Sequence, residues 1–364
     1  MTHPIHSLNT PYPSIAFLFD ALVSPVKIAV METALELDMV HILSTTSTVD
    51  EIARKAGVQT GTAGLVCFLD AMVAIGLAHK KNNLYSNTDI GTHFFDKKSP
   101  VYLGSYIPNM KDLIQKNLPD MTRIIKTGIR DITQPSTWED ESRWIDAAAH
   151  LATGQRAGMA AVYADLVEGL PGFNSIRKIL DIGGGPGLIG AEILKRIPEA
   201  TGVLIDLPAV ISVAEQELEK QRMADRISFI AGDYNQTDLG SGYDLIWASH
   251  NLYFVKNRLS FFKRVKAALT DQGVFACLHE GLSREQTAPA EIVLMRLSSA
   301  LESVNTQGGQ AHTFDKGEIA ACLEQAGFEQ INSRMVHLPS GEAELVIASP
   351  GLDGTHRGSF SFKP

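Results

Sequence analysis

The stretch that decides the fold is Lys178-Ile-Leu-Asp-Ile-Gly-Gly-Gly-Pro-Gly-Leu-Ile-Gly190. An apolar run, then a glycine cluster, then apolar residues at helical spacing predict a strand, a tight turn and a helix. A glycine turn lets a ligand approach the backbone closely, and a helix begins just after it. Residues 185–190 formally fit Gly-x-Gly-x-x-Gly, which alone would indicate a dinucleotide site.

Strands and helices alternate from this stretch to the end of the chain, which predicts a doubly wound parallel α/β sheet. The predicted strands cover 178–182, 202–205, 227–230, 245–248 and 274–278, and the predicted helices cover 188–196, 209–221, 258–269 and 292–301. A helix at 314–326 and strands at 331–338 and 343–348 follow. Because the turn between the last two strands is short, they must be antiparallel.

Residues 1–98 form a helical module of a different kind. Helices are predicted at 24–43, 49–56 and 63–75, and a hairpin at 79–86, an order that resembles a winged helix-turn-helix. The helix that would enter a DNA groove has no Lys or Arg, which disfavours nucleic-acid binding. Such an apolar helix is better suited to packing against another subunit.

The rest of the chain divides into three zones. Residues 99–170 are helical and end in one long Ala-rich helix over 143–167, from which we expect substrate-pocket residues. The alternating strands and helices fill residues 171–350. The tail, 351–364, is rich in Gly and Ser, and we expect it to be flexible.

Composition narrows the function classes. The chain has 364 residues, with 32 Lys and Arg against 41 Asp and Glu, so its net charge of −9 repels phosphate backbones. No secretory signal is expected at the start, and the weakly charged run Gly57–His79 predicts a buried helix rather than a membrane span. Three cysteines in separate apolar runs predict buried, reduced thiols of a cytoplasmic protein: Cys67, Cys277 and Cys322.

Acidic residues end three successive predicted strands around the glycine turn. Asp181 lies inside the first strand end, where it would repel a pyrophosphate but could serve an ammonium group or order the turn. Asp206 lies about 20 residues beyond the glycines, where a carboxylate can hold a ribose diol. Asp233 can face an adenine amino group, with Tyr234 against the ring. The set suits a cationic, adenine-bearing ligand better than a dinucleotide.

At these residues the sequence resembles a known family, the S-adenosylmethionine-dependent O-methyltransferases typified by plant caffeic acid and bacterial polyketide and phenazine O-methyltransferases. The resemblance covers about residues 14–348. In the catalytic part it rests on Asp-Ile-Gly-Gly-Gly-Pro-Gly (181–187), Ile-Asp-Leu-Pro-Ala-Val (205–210), Gly-Asp-Tyr (232–234), Ser-His-Asn-Leu (249–252) and Gly-Gly-Gln-Ala-His-Thr (308–313). In the N-terminal module it rests on 24–29, 48–53 and 69–77.

The resemblance implies a seven-stranded Rossmann-like sheet with an antiparallel last strand, in an S-adenosylmethionine-binding catalytic domain over 171–350. It also implies that residues 1–98 form a winged-helix-like dimerisation domain and that the protein is a homodimer. It implies that Gly183, Asp206, Asp233 and Tyr234 contact the cofactor. We add four neighbouring residues to the predicted cofactor site: Asp181, Gly185, Leu207 and Ser249.

Two further residues predict the chemistry of the site. His250 follows the fourth predicted strand, at the sheet edge where ligands of open α/β sheets bind, and histidine is a natural base for a phenolic proton. By resemblance it occupies the position of the family's catalytic histidine. Glu280 follows the fifth strand and matches a family glutamate that orients that histidine. A carboxylate there would fix the tautomer and stabilise the imidazolium.

The sequence also departs from the plant enzymes. Ala311 replaces a second glutamate in the loop at 308–313, and Asn251 replaces the usual Asp after the histidine. Both changes leave C-methylation open beside O-methylation. A metal site is a weaker hypothesis because no close ligand spacing supports it. It would use His250, His279, Glu280 and His312.

We therefore predict a cytoplasmic, dimeric enzyme that methylates a hydroxyl of a small aromatic or quinone-like molecule, without nucleic-acid binding or membrane insertion. A C-methyltransferase, or a non-methylating reaction on the same scaffold, is the enzymatic alternative. A non-catalytic, ligand-binding winged-helix dimer is the alternative from another class. The apolar helix at 63–75 and the intact cofactor set disfavour it.

Overall fold

The computed structural model describes residues 16–351 except 60, 117, 128–140, 171, 284, 286 and 304–313. The predicted tail beyond 351 and the loop at 308–313 therefore lie outside the described residues. The chain divides into two compact units, Met1–Pro108 and Asn109–Pro364. The functional zones predicted at 1–98, 99–170 and 171–350 stay predictions, because compactness alone does not say what a segment does.

The first unit combines helices with a small three-stranded antiparallel sheet in the order β1-β3-β2. Its elements are α1 (Ala16–Glu36), α2 (Met39–Ile42), β1 (Ser47–Thr48), α3 (Val49–Lys55), α4 (Ala63–Ala74), β2 (Ala78–Lys81), β3 (Leu84–Asn87) and α5 (Asp89–Phe95). The division between the units falls within α6 (Tyr106–Gln115).

Local signals explain these elements. Thr48 and Glu51 form a reciprocal capping box that starts α3. Asn82 and Asn83, with φ of 52° and 61°, make the turn between β2 and β3, a conformation that asparagine tolerates. The helices and hairpin predicted at 49–56, 63–75 and 79–86 are thus present.

The helix predicted at 24–43 is wrong in its bounds. The structure has α1 ending at Glu36 and a separate one-turn α2 from Met39. Asp38 between them adopts a left-handed φ of 53°, which an α-helix cannot contain. Apolar periodicity continues across this break because residues of both helices, such as Ala34 and Val40, pack into the same core.

The second unit holds a seven-stranded sheet. Its helices are α7 (Met121–Thr127), α8 (Glu141–Gly154), α9 (Ala160–Glu168), α10 (Leu188–Arg196), α11 (Pro208–Lys220), α12 (Arg258–Ala268), α13 (Ala290–Ser303) and α14 (Glu318–Gln325). Its strands are β4 (Lys178–Ile182), β5 (Thr201–Asp206), β6 (Ile227–Ala231), β7 (Tyr243–Ser249), β8 (Leu269–His279), β9 (Gly281–Leu282), β10 (Phe314–Asp315), β11 (Gln330–Leu338) and β12 (Gly341–Ser349).

The strand order of the large sheet is β11-β12-β8-β7-β4-β5-β6. Strands β4 to β8 pair in parallel, and β12 is antiparallel to both of its neighbours. The fold prediction, including the antiparallel last strand, is confirmed. Because strand order reverses beside β4, the carboxyl ends of β4, β5 and β7 form the crevice where such sheets bind ligands.

The single long helix predicted over 143–167 is wrong. Helices α8 and α9 are joined by a π-helical turn at Gln155–Met159, in which Gly158 has φ of 124°. Only glycine adopts such a conformation readily, so the chain kinks here. Arg156, within this turn, forms an ion pair with Glu217 of α11 and holds the kink against the sheet's helical layer.

The helix predicted over 314–326 is also wrong at its start. Phe314 and Asp315 form β10, which pairs in parallel with β9, and α14 begins only at Glu318. Gly317 turns the chain between them with φ of 83°. The apolar Phe314 fits a helical pattern, but a strand partner more than 30 positions away decides its conformation.

The three cysteines are free thiols. Cys277 is buried and Cys322 is half-buried, but Cys67 is exposed, so the expectation of burial is wrong there. Only one face of α4, that of Leu65, Leu69 and Met72, packs into the core, and Cys67 lies off that face. Among the residues that the structure describes, no helix is long and apolar enough to cross a membrane.

Candidate active site

The glycine turn after β4 is built so that only glycine fits. Gly183, Gly185 and Gly187 have φ between 57° and 77°. A Cβ added to Gly183 would lie 2.4 Å from Asn251 Nδ2, whereas one on Gly185 would meet nothing within 4 Å. The turn is therefore packed against Asn251 at Gly183 and open at Gly185, where a ligand can approach the backbone.

Asp181 lies beneath this turn and is 3% exposed. Its carboxylate would be 2.8 Å from a Cβ on Gly184 and 2.9 Å from one on Gly190, so it fills the space that both glycines leave. Burial, followed by the charge of Asp206, raises the pKa of Asp181 to about 7, and the Gly190 N–H opposes this. Of its two predicted roles, ordering the turn is the one that these contacts support.

Asp206 ends β5 and faces the glycine turn directly. Its carboxylate accepts hydrogen bonds from the N–H of Gly185 at 2.9 Å and from the N–H of Leu207 at 2.7 Å. Burial raises its pKa, and these two N–H groups only partly oppose that rise. The predicted residues Gly185, Asp206 and Leu207 are thus brought together at one strand end.

Asp233 and Tyr234 follow β6 and contact different parts of the site. Asp233 accepts hydrogen bonds from the backbone and side-chain nitrogens of Asn235, both at 2.8 Å, and lies 3.7 Å from Lys256 Nζ. The Tyr234 hydroxyl donates to the Asn251 carbonyl at 2.9 Å. The Tyr234 ring reaches the glycine turn, but Asp233 is turned toward its own loop.

His250 follows β7 in a strained backbone conformation. Its φ of 51° is left-handed, which is uncommon for a residue with a Cβ, and its N–H donates to the Leu278 carbonyl at 2.9 Å. Ser249, the last residue of β7, pairs with the same Leu278 and is half-buried. This turn ends the strand and projects the imidazole at the carboxyl edge. Such strain is frequent at functional sites.

The imidazole of His250 faces Glu280, as predicted. Nδ1 lies 2.8 Å from Oε1 of Glu280, with about a quarter of each side chain exposed. Burial lowers the pKa of His250, but the Glu280 carboxylate more than offsets this, so the pKa is raised above its ordinary value. Burial raises the pKa of Glu280, and the nearby positive charge of protonated His250 reverses that shift.

Tyr163 of α9 contacts the other imidazole nitrogen, a residue that the sequence did not single out. Its hydroxyl lies 3.1 Å from Nε2, and the two ring centroids are 5.7 Å apart. Because Nδ1 faces a carboxylate, we assign the ring proton to Nδ1, and the Tyr163 hydroxyl then donates to Nε2. The two residues are 87 positions apart, so no local pattern links them.

Asn251 connects three parts of the site, a role that the sequence analysis did not predict. Its Nδ2 donates to the Ile182 carbonyl at the end of β4, and its own carbonyl accepts from Tyr234. Its Oδ1 is buried without a partner among the described residues. The sequence identified Asn251 only as a replacement for Asp. The available signal was its place directly after His250.

Aromatic side chains surround the turn that follows His250. Trp144 of α8 packs edge-to-face on Phe254, with centroids 5.2 Å apart, and Tyr253 packs on Phe254 at 4.6 Å. Tyr253 also contacts Phe314 at 6.4 Å. Rings in this arrangement can offer apolar faces and edges to a flat ligand.

Of the other histidines in the metal hypothesis, the described one, His279, does not contact His250. His279 is buried against Phe314, and its Nε2 lies 3.7 Å from Glu344 Oε2. Ala311 and His312 lie outside the described residues, so their part in the site stays untested. Within the described ranges, no group of three His, Cys, Asp or Glu side chains could hold a metal ion.

The candidate site therefore has two parts at one edge of the sheet. The glycine turn and the Asp206 carboxylate can hold a ligand with hydroxyl groups, and the His250–Glu280 pair can accept a proton through Nε2. Asn251 fixes the distance between the two parts by bonding to the end of β4.

The model of the O-methyltransferase domain family matches residues 110–329. The chain is 23% identical to the 3-hydroxy-5-methyl-1-naphthoate 3-O-methyltransferase of Streptomyces sahachiroi over 319 residues, covering 85% of this chain and 84% of the relative. It is 26% identical to the acetylserotonin O-methyltransferase of Gallus gallus over 340 residues, covering 89% and 94%.

The fold is similar to that of human N-acetylserotonin methyltransferase, solved in complex with S-adenosylmethionine. The TM-score is 0.70 at 16% identity, and the match covers 94% of this chain and 99% of the human one. At this identity the likeness shows the fold alone.

Proposed function

Because this chain belongs to the O-methyltransferase domain family, we propose that it transfers a methyl group from S-adenosylmethionine to a hydroxyl of a small aromatic or quinone-like acceptor. Membership of this family identifies the chain as a methyltransferase. The observation that carries the rest is the His250–Glu280 pair, tied through Asn251 to the glycine turn. The named acceptors of the relatives, a hydroxynaphthoate and acetylserotonin, are flat hydroxylated rings of the proposed class.

The residues present fit S-adenosylmethionine. Gly185 is open on its outer side, Asp206 offers a carboxylate for ribose hydroxyls, and the buried Oδ1 of Asn251 is an acceptor suited to an ammonium donor. Leu207, Tyr234 and Ser249 flank these groups. When bound, the cofactor supplies a methyl group on a sulfonium that an oxygen nucleophile can attack.

Residues of this chain would remove the proton of the acceptor hydroxyl. Nε2 of His250 would take the proton from the acceptor hydroxyl, since Nδ1 is held by Glu280. The Glu280 carboxylate would keep the ring in this tautomer and stabilise the imidazolium that forms. The rings of Trp144 and Phe254 would hold a flat acceptor near the turn that carries His250.

The activity test uses radiolabelled S-adenosylmethionine with 3-hydroxy-5-methyl-1-naphthoate, N-acetylserotonin and a panel of hydroxylated naphthoquinones and phenazines. We expect label on a hydroxyl oxygen of at least one compound, identified by NMR of the product. Label on a ring carbon would replace O-methylation with the C-methyl alternative. No binding of S-adenosylhomocysteine by calorimetry would overturn the proposal as a whole.

We further propose a homodimer formed through the first unit. Exposed apolar side chains, more than two-fifths accessible, line one stretch of α1: Leu18, Phe19, Leu22, Val23 and Val26. Such a cluster on a free surface costs hydrophobic free energy that a second copy would recover. Sedimentation at low micromolar concentration should give twice the mass of one chain. A monomer mass would contradict this proposal and leave the activity untouched.

We also propose a role for residues 99–170 in the acceptor site and a cytoplasmic location for the protein. The contact between Tyr163 and His250 supports a role for residues 99–170 beside the acceptor. Free thiols at Cys67, Cys277 and Cys322 support a reducing, cytoplasmic compartment. Fractionation of cells that express the tagged full chain tests the location.

A further inference from the structure

The nitrogen that should accept the proton already has a hydrogen-bond partner. The hydroxyl of Tyr163 lies 3.1 Å from Nε2 of His250, on the side opposite Glu280. A neutral imidazole has one lone pair for a hydrogen bond in the ring plane. An acceptor hydroxyl and the Tyr163 hydroxyl therefore compete for the same position.

Tyr163 is held firmly in this place. It is 7% exposed and belongs to the core cluster that includes Leu188 and Ala191 of α10. The kink at Gly158, one turn earlier, sets the direction of α9, and the ion pair of Arg156 with Glu217 anchors that kink. The ring is thus held in place, and an acceptor hydroxyl must displace the Tyr163 hydroxyl to reach the lone pair of Nε2.

From this geometry we infer that Tyr163 is a positioning residue for His250. The Tyr163 hydroxyl donates a hydrogen bond to Nε2 in the free enzyme and gives up that position when the acceptor hydroxyl binds. The inference rests on the proposed role of His250 as the base. No covalent step is assigned to Tyr163.

The sign of the pH effect follows from the hydrogen bond. A hydroxyl that donates to Nε2 stabilises the neutral imidazole and opposes Glu280, which stabilises the charged one. Burial lowers the pKa of His279, which lies close enough to His250 for their charges to interact. Tyr253 interacts with the charge of Glu280, and burial raises the pKa of Tyr253. Because the Tyr163 hydroxyl stabilises the neutral imidazole, removing it should raise the pKa of His250.

The first experiment needs no acceptor. The chain is labelled at the histidine Cε1 carbon and titrated by NMR, and the His250 signal among the 11 histidines is identified by its absence in His250→Gln. In Tyr163→Phe we expect the pKa of His250 to rise by about 0.5–1 pH unit, the equivalent of one neutral hydrogen bond. An unchanged pKa would overturn the inference.

The second experiment is kinetic and uses an acceptor that the activity test has identified. Tyr163→Phe should lower KM for the acceptor by about 2- to 10-fold, because the competing hydroxyl is gone, with kcat above pH 8 within about 3-fold. The acid limb of kcat/KM should move up with the pKa. A 10-fold loss of kcat at unchanged KM would instead place Tyr163 in the proton path, and contradict its role as a competitor.

Tyr243→Phe is the matched control. Tyr243 is 2% exposed, and its hydroxyl donates to the Leu239 carbonyl at 2.8 Å. This variant should lose stability without moving the pKa of His250 or KM. The two proposals also fail separately. Full turnover of His250→Gln at pH 7 would remove the base, whereas an unmoved pKa in Tyr163→Phe would remove only the positioning role.

Discussion

The two halves of the candidate site are built by different means. The proposed cofactor half lies on the ends of adjacent strands and is held by backbone N–H groups and glycine conformations; it comprises Asp181, Gly183–Gly187 and Asp206. The proposed acceptor half joins side chains from three separate elements: His250, Glu280 and Tyr163. Binding and proton removal should therefore respond to different substitutions.

Replacing the proposed base should give the largest effect. In His250→Gln, turnover at pH 7 should fall by about 10²–10⁴-fold, the usual contribution of a positioned base. Affinity for S-adenosylhomocysteine should stay nearly unchanged, because His250 belongs to the acceptor half. Initial rates and calorimetry on one preparation measure both. Joint loss of cofactor affinity and melting temperature would instead make His250 a packing residue beneath the turn.

Removing the carboxylate of the cofactor half should give the next largest effect. Asp206→Ala should weaken S-adenosylhomocysteine binding by about 10- to 150-fold, because a buried charge-assisted hydrogen bond is worth ~1.5–3 kcal/mol. Calorimetry measures it. Asp238→Ala is the control, since Asp238 also accepts a glycine N–H, from Gly240 at 3.0 Å, in an exposed turn. Equal losses in both variants would contradict the assignment.

Neutralising the orienting carboxylate should have a smaller effect. Glu280→Gln should lower turnover about 10-fold, since either tautomer of His250 becomes possible. Because Glu280 alone offsets the burial of the imidazole, the pKa of His250 should fall, and the acid limb of kcat/KM should move to lower pH. A pH–rate profile checks the direction, and a limb that moves upward would contradict it.

The exposed pair of His337 and Glu342 provides a control for that variant. Its Nδ1–Oε1 distance is 2.9 Å, close to that of the active pair, but the His337 side chain is 82% exposed. Glu342→Gln should leave both turnover and the pH profile unchanged.

The smallest effect is expected within the glycine turn. Gly185→Ala adds a Cβ that meets no protein atom within 4 Å, so the penalty within the protein is that of the left-handed φ of 57°, about 1–2 kcal/mol. The added methyl group also takes space on the side from which the proposed cofactor would approach. We expect cofactor affinity to fall about 3- to 10-fold by calorimetry. Gly183→Ala should be worse, because its Cβ also meets Asn251. Equal effects would show that packing beneath the turn is unimportant.

The sequence predicted the sheet well because its signals are local. The strand at 178–182 and the helix at 188–196 match the structure to the residue, since an apolar run, a glycine turn and a helix start are adjacent. The kink at Gly158 and the strand at Phe314 were missed. One depends on a single glycine conformation, and the other on a partner strand distant in sequence.

The same distinction explains what was predicted of the site. Asp181, Asp206 and His250 could be proposed because each ends a predicted strand, and parallel strands end at one edge. Tyr163 lies on a helix whose predicted course lacked the kink, so its contact with Nε2 could not be foreseen. The contact of Glu280 with His250 could be expected because the resemblance supplied it, and the orienting role of Glu280 stays a prediction.

The pH dependence of the His250 contribution tests the central claim most directly. Turnover of the wild-type protein and of His250→Gln is measured from pH 7 to 10 with saturating S-adenosylmethionine and a phenolic acceptor from the panel. A phenol with a pKa of ~10 ionises unaided at the upper end. The wild-type to variant ratio should therefore fall from about 10²–10⁴ to within about 10. A ratio near one at pH 7, or one that stays constant to pH 10, would contradict proton removal by His250.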